Sequence, residues 1–321
     1  MNTVQLDSRV FVAGHAGLIG SAIVRRLECD GYRHVITRTR AQLDLADAAA
    51  VTRFFTETRP EFVLLAAGRV GGIGENLARP AEFIEENLAI QLNVLKASRQ
   101  VQVTKLILFG SSCMYPRDSP QPMSEGLLLS GQPEPTSLPY AVAKLAGMHL
   151  CLAYNKQDGV QRFLPVIPNS AYGPHDDFDP RSGHVLSSLM ARFHEAVEHG
   201  AGAVTLWGSG SPRREFVHAD DIADACLHLC RRDVSDLQFP VNIGVGSDIS
   251  IKELAEAIAA LTGFEGRLDW DLTKPDGAPR KLLDSTRIQQ SGWRPKIAQA
   301  EGLRMTYQWY LQHCGATRAT T

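Results

Sequence analysis

Ser111-Ser112-Cys113 follows the apolar run Leu106-Ile107-Leu108-Phe109, and Tyr140-Ala141-Val142-Ala143-Lys144 comes well downstream. Tyr140 and Lys144 are spaced i and i+4, so on a helix they share a face and the ammonium favours loss of the phenolic proton. A serine alongside can hold a substrate oxygen. The set suits carbonyl reduction by a nicotinamide cofactor. Hydride chemistry has no need of Cys113, so a thiol on the same loop asks for a second role. The alternative is a small buried hydrophobe, since free cysteine is among the most buried residue types. Its place beside two serines at a strand's carboxyl end favours a ligand-facing position.

The cofactor reading starts at Ala13-Gly14-His15-Ala16-Gly17-Leu18-Ile19-Gly20, which leaves a predicted strand and opens a predicted helix. Gly14, Gly17 and Gly20 allow a tight turn and close backbone approach, with a pyrophosphate resting on the helix start at Leu18 and Ile19. The second strand ends in Ile36-Thr37-Arg38-Thr39-Arg40, with no acid before Asp44. A carboxylate there would bind a ribose 2'-hydroxyl, whereas arginines accommodate a 2'-phosphate, so Arg38 and Arg40 favour NADP(H) over NAD. The alternative is that both arginines are merely solvated. Asp44 and Leu45 are expected at the adenine, and Ala66 and Ala67 end the third strand beside the pyrophosphate.

Short apolar runs alternating with longer helical segments predict an α/β, Rossmann-type doubly wound parallel sheet. Strands are expected at 9–13, 34–37, 62–66, 105–109 and 161–167, and helices at 18–30, 46–58, 80–100 and 140–157. Beyond about Pro168 the alternation gives way to Gly- and Pro-rich loops at 172–176, 207–212 and 274–279, which on a rigid scaffold usually bind something. Residues 240–244 look like a return to the sheet. The expected division is an NADP-binding domain over 1–168, with 215–245 returning to it, and a smaller interleaved substrate domain over 169–214 and 246–315. The tail from Gly315 is small and polar and is expected to fray.

A chain of 321 residues, 44% hydrophobic and 21% charged, can bury a full core. Its formal charge of -2 and lack of a basic stripe argue against nucleic acid as a partner. No apolar run approaches a membrane span, and residues 1–9 do not read as a secretory signal. Six scattered cysteines form no disulfide framework, which fits a reducing compartment, so a cytoplasmic protein is expected. Cys226-Leu-His-Leu-Cys230 invites a metal reading, but its amphipathic setting over 220–232 favours core packing. His194-Glu-Ala-Val-Glu-His199 lacks zinc-protease spacing and reads as a solvated helix face. No metal site is inferred.

The order of the glycine turn, the strand ending in Gly110-Ser111-Ser112, and Tyr140 with Lys144 at a helix start resembles the extended short-chain dehydrogenase/reductase superfamily. Within it the chain resembles the GDP-L-fucose synthase family, the 3,5-epimerase-4-reductases of GDP-4-keto-6-deoxymannose. The likeness rests on Gly71-Gly72-Ile73, Gly110 to Pro116, Glu134-Pro135-Thr136, Pro139 to Lys144, Tyr172-Gly173-Pro174-His175-Asp176, Arg192 to Ala196, Arg214-Glu215-Phe216 and the loop from Lys274. The resemblance implies that Tyr140 is the general acid or base, that Lys144 lowers its pKa and holds the nicotinamide ribose, and that Ser111 positions the reacting oxygen. It further implies that Cys113 is the base and His184 the acid of two inversions. A ketone at C4 acidifies the C3 and C5 protons, and each inversion needs a base on one ring face and an acid on the other. Read alone, His184 is more readily a surface residue at a helix start.

The resemblance also implies that Arg192, Arg214 and Lys281 hold the diphosphate and nearby groups, with Trp207 near the base or ribose. Each basic residue taken singly is as often a solvated side chain. The family commonly has an arginine in the glycine turn where this chain has Ala16, which leaves the 2'-phosphate to Arg38 and Arg40. Asn169 stands one position from the family's asparagine, so the sugar pocket is expected to differ. The expected partner is a GDP-linked 4-keto sugar, GDP-4-keto-6-deoxy-D-mannose first. Reductases of a GDP-4-keto-3,6-dideoxyhexose or a GDP-heptose, and a non-catalytic NADP sensor, are the alternatives. The superfamily implies a homodimer through the helices at 80–100 and 140–157.

Overall fold

Alternate residues of an extended strand face opposite ways, and here both sets are apolar. Phe11, Val63, Leu65, Leu106 and Leu108 pack on one face with Val51, Phe55 and Val94. Val10, Val12, Leu64, Ile107 and Phe109 pack on the other with Ile23, Leu27, Ile222 and Leu229. Strands apolar on both faces must be covered on both, which demands helices on each side of a parallel sheet.

The computed structural model describes residues 3–180, 183–274 and 276–315. The first elements are β1 (Arg9–Ala13), α1 (Leu18–Cys29), β2 (His34–Ile36), α2 (Ala48–Thr58), β3 (Phe62–Leu65), α3 (Ile73–Ala78), α4 (Pro80–Gln100), β4 (Lys105–Phe109), α5 (Leu138–Asp158) and β5 (Phe163–Pro168). Then come β6 (Ser170–Tyr172), α6 (Val185–Glu198), β7 (Ala203–Trp207), β8 (Arg213–Arg214), β9 (Phe216–His218), α7 (Ala219–Arg231) and β10 (Val241–Ile243). The last are β11 (Ile249–Ser250), α8 (Ile251–Thr262), β12 (Arg267–Asp271), β13 (Arg280–Lys281), α9 (Thr286–Gln290) and α10 (Gln299–Tyr310). The main sheet runs β10-β5-β4-β3-β1-β2, parallel throughout. This is the doubly wound fold expected from the sequence, and β10 pairs with β5 through Val241 opposite Val166.

A second core lies off the sheet, where Tyr172, Phe178, Leu189, Phe193, Leu254, Ile258, Leu303 and Tyr310 pack together. His194 belongs beside it, which corrects the solvated-face reading. Its ring is buried, with Nδ1 3.0 Å from the Tyr307 hydroxyl and an edge toward Tyr310. A histidine can turn its flat apolar faces into a core while one nitrogen keeps a polar partner. His199, at the end of the same helix, is exposed. Cys226 and Cys230 are buried on α7, and His228 faces Ser291 through Nε2 at 2.9 Å. The tail beyond Gly315 lies outside the described residues.

Candidate active site

β1 and β3 are neighbours in the sheet, and their connections leave on opposite sides, which opens a crevice at their carboxyl ends. Gly14 turns there with φ of 83°, and a Cβ on it would fall 2.6 Å from the Ala67 nitrogen. A Cβ on Gly20 would fall 2.0 Å from the Gly14 carbonyl oxygen, so α1 rests directly on the turn. The helix start is bare: Gly17 offers α1 no side-chain cap, whereas Asp47 caps α2 and a Ser250–Glu253 capping box closes α8. Orphan N–H groups at a helix start favour an anion.

A cleft of about 760 Å³ runs along this edge. Gly14, Gly17, Leu18, Ile19, Gly20, Arg38, Arg40, Asp44, Leu45, Ala66 and Ala67 all line it. Arg38 stacks over Phe54 at 5.4 Å, and Arg40 lies 3.8 Å from both Asp44 and Glu86. A glycine cradle, an uncapped helix start and two arginines at the end of β2 fit a dinucleotide with a 2'-phosphate. Gly14→Ala adds a Cβ where φ is positive and backbone stands in the way, a strain of about 1–3 kcal/mol. NADPH affinity, measured by fluorescence titration, should fall about tenfold or more, since about 1.4 kcal/mol is a factor of ten.

Ser111, Cys113, Tyr140 and His184 line the same cleft. Ser111 ends the strand side, and its hydroxyl accepts from the Cys113 N–H at 3.2 Å. Burial pushes the Cys113 thiol up, but the Lys281 charge and hydrogen bonds with Ser111, Ser137 and Lys281 outweigh it, so the thiol lies below its ordinary range. The Lys281 ammonium is 3.7 Å from the sulfur. His184 is the residue before α6, and its Nδ1 lies 3.3 Å from the Asp176 carboxylate. A helix start disfavours a cation. Asp176 prevails: its hydrogen bond, against some loss from burial and with further help from its charge and that of Cys113, raises the imidazole.

Burial, then the nearby Cys113 charge, push the Tyr140 phenol up, and a hydrogen bond with Ser111 opposes them. Lys144 is buried and stands just behind the lining, its Nζ 5.7 Å from the Tyr140 ring centre rather than at the hydroxyl. Burial pushes its ammonium down to about 8.

Of the residues expected at the substrate, Asn169, Arg214 and Lys281 line the cleft. The Asn169 amide nitrogen is turned into the protein, donating to Glu215 at 2.6 Å and to the Lys281 carbonyl at 3.2 Å. Arg192 and Trp207 stand outside the lining. The Arg192 guanidinium donates to the Thr205 carbonyl, and Trp207 is 70% exposed with the Lys274 ammonium 5.5 Å over its ring.

Residues 10–244 match the NAD dependent epimerase/dehydratase family. The chain belongs to this family. It is 49% identical to GDP-L-fucose synthase 1 of Arabidopsis thaliana over 96% of this chain and 94% of that one. It is 47% identical to GDP-L-fucose synthase of Escherichia coli (strain K12), over 95% and 97% respectively. Among solved structures it is similar to MlghC, the GDP-mannoheptose C4 reductase of Campylobacter jejuni with NADP bound. That likeness has a TM-score of 0.87 and 37% identity, over 96% of this chain and 99% of that one.

Two neighbours of Cys113 and His184 in this epimerase/dehydratase family member escape a reading by residue type. Asp176, eight residues before His184 in a Gly- and Pro-rich loop, also accepts from the Ser187 hydroxyl. Ser137 precedes α5 and meets the Cys113 sulfur. Aspartates and serines in loops before helices are common, and nothing in the spacing of these two marks them. Asp176→Asn removes the anion that stabilises the imidazolium, so the His184 pKa falls. The alkaline limb of any activity that needs protonated His184 should then move to lower pH, which a pH–rate profile reads directly.

Proposed function

We propose that this protein catalyses NADPH-dependent epimerisation at C3 and C5 and reduction at C4 of GDP-4-keto-6-deoxy-D-mannose, forming GDP-L-fucose. One observation carries the reading: a thiol drawn down by Lys281 and an imidazole drawn up by Asp176 share the cleft with Ser111 and Tyr140. A base with a lowered pKa and an acid with a raised one approach each other, which enlarges the fraction of molecules holding thiolate and imidazolium together. A reductase needs neither.

Gly14, Gly17 and the head of α1 would hold the cofactor's pyrophosphate, Arg38 and Arg40 its 2'-phosphate, and Lys144 the nicotinamide ribose. NADPH, when bound, supplies hydride. Cys113 takes a proton from the sugar carbon, whose electron pair is stabilised as an enolate by the C4 carbonyl, and His184 delivers one to the opposite face. Ser111 orients the C4 oxygen, and Tyr140 gives it a proton during reduction. Arg214 is the candidate for the diphosphate, and the fixed Asn169 narrows the sugar end. Arg192 and Trp207 would reach the nucleotide only from outside the cleft lining.

Product formed in deuterium oxide tests this. Label at both C3 and C5 supports the reading, and label at neither removes it in favour of a simple C4 reductase of the heptose-reductase kind. We further infer a homodimer, supported by the exposed Leu88 and Leu92 on α4 and Val142 on the adjoining α5. Sedimentation at twice the chain mass checks that. A cytoplasmic setting is supported by the free thiols of Cys29, Cys113, Cys151, Cys226 and Cys230, and fractionation tests it. No helix among the described residues is long and apolar enough to cross a membrane.

A further inference from the structure

Lys281 is fixed from both sides before its side chain reaches anything. Its strand β13 runs parallel to β8, with Arg280 opposite Arg213 and Lys281 opposite Arg214. Asp248 accepts from Arg213 at 2.7 Å and from Arg280 at 2.5 Å, joining the two strands through their side chains. The Lys281 carbonyl accepts from the Glu215 N–H and the Asn169 amide, both at 3.2 Å. The next two N–H groups are held as well: Leu282 donates to Gln121 at 2.8 Å and Leu283 to the Glu215 carboxylate at 3.0 Å. Glu215 is fully buried, so this anchoring is internal to the fold. From that base the ammonium stands 3.7 Å from the Cys113 sulfur.

Other groups also face the thiol. Ser111 and Ser137 are neutral hydrogen-bond partners, and Tyr140 is a half-buried phenol whose ionisation a thiolate opposes. Arg214 on β8 and His184 before α6 feel the thiolate's charge but make no contact with the sulfur among the described hydrogen bonds. A cation touching sulfur stabilises thiolate over thiol, which is how nucleophilic and basic cysteines are made at neutral pH.

We propose that Lys281 is a catalytic residue of the inversion half-reactions, the charge partner that keeps Cys113 ready as a base. The proposal deepens the epimerase-reductase reading and rests on it for the identity of the proton taken. The thiolate forms an S–H bond as the sugar C–H bond breaks, and the C–H electron pair passes into the C4 carbonyl as enolate. His184 then loses its proton to the other face of the carbon, forming the new C–H bond. Thiol and imidazole exchange protons with solvent, so no net proton is consumed. While the sulfur is protonated, the Lys281 ammonium is left to face the enolate's charge.

The test is alkylation of Cys113 in the full-length protein by iodoacetamide, followed by peptide mass as a function of pH, with no sugar present. Lys281→Met should raise the midpoint by about one unit or more and slow alkylation near pH 7 about tenfold, because the reactive thiolate fraction falls by that factor. Lys281→Arg keeps a cation there and should retain more of the wild-type rate. Lys281→Gln provides a second neutral variant if Met disturbs the fold, with NADPH binding as the check on integrity. With the nucleotide sugar, the kcat for solvent exchange should fall while KM changes little. A thiol profile unmoved in both neutral variants, with KM raised instead, would overturn the proposal and leave Lys281 a substrate-binding residue. The alkylation result involves no sugar, so it can stand if deuterium labelling fails and can fail if labelling succeeds.

Discussion

Tyr140→Phe should lower NADPH-dependent reduction by about 10³-fold, within the range that a positioned general acid contributes. The substitution leaves the ring, which meets Phe83 edge-on at 6.3 Å, and removes only the hydroxyl that bonds Ser111. No cavity opens, so the fold should hold. Exchange of the C3 and C5 hydrogens with solvent should continue, because the thiol, Lys281, His184 and Asp176 are untouched. Burial pushes the Tyr140 phenol up, which suits the proposed donor of a proton as hydride arrives. Following NADPH absorbance and deuterium incorporation in the same samples separates the steps. Equal loss of both would break the division of labour.

Cys113→Ser has the opposite signature. A serine hydroxyl ionises far above the range that Lys281 can correct, so proton abstraction at C3 and C5 should fall by about 10²–10⁴-fold. The hydroxyl can still meet Ser111, Ser137 and Lys281, so the loop after β4 keeps its shape and hydride transfer remains possible. The expected product is a C4-reduced sugar without inversion and without carbon-bound deuterium, which mass spectrometry and proton NMR identify. Deuterium incorporation at the wild-type rate would remove Cys113 as the base.

Much of the fold was legible because local signals were strong and uninterrupted. β1, β4 and α4 have the limits expected from their apolar runs and flanking breakers. β5 starts later than expected, since the Gln161 amide bonds the Val234 and Leu237 carbonyls and the Arg162 N–H goes to Asn155, which bends the chain before the ladder begins. α5 starts earlier, at Leu138, because Pro139 falls in the first turn where no N–H is needed. α3 went unread: its start lies inside Gly71-Gly72-Ile73-Gly74, a stretch with no apolar period. β8 and β13 are two residues each, too short for any pattern.

The candidate site divides the same way. Gly14 to Gly20, Arg38, Ser111 and Tyr140 are read from short motifs with their own geometry. The pairing of Lys281 with Cys113 joins residues 168 positions apart and depends on how β13 is anchored. That pairing is a property of tertiary structure, and spacing carries no trace of it. The same holds for Arg192 and Trp207, where a match of position says nothing about which way a side chain turns.

The placement of β10 at the sheet's edge has a consequence for how the protein is made. The glycine cradle, Ser111, Cys113, Tyr140 and Lys144 all precede Pro168, where β5 ends and five of the six strands of the main sheet already exist. Translation at about 5–20 residues per second then takes several seconds more to supply Asp176, His184 and finally Lys281. Because β10 adds beside β5 at the margin, it joins without parting strands already paired. The nascent chain can thus complete the residues proposed for reduction first, and the partners proposed for inversion are assembled onto them last.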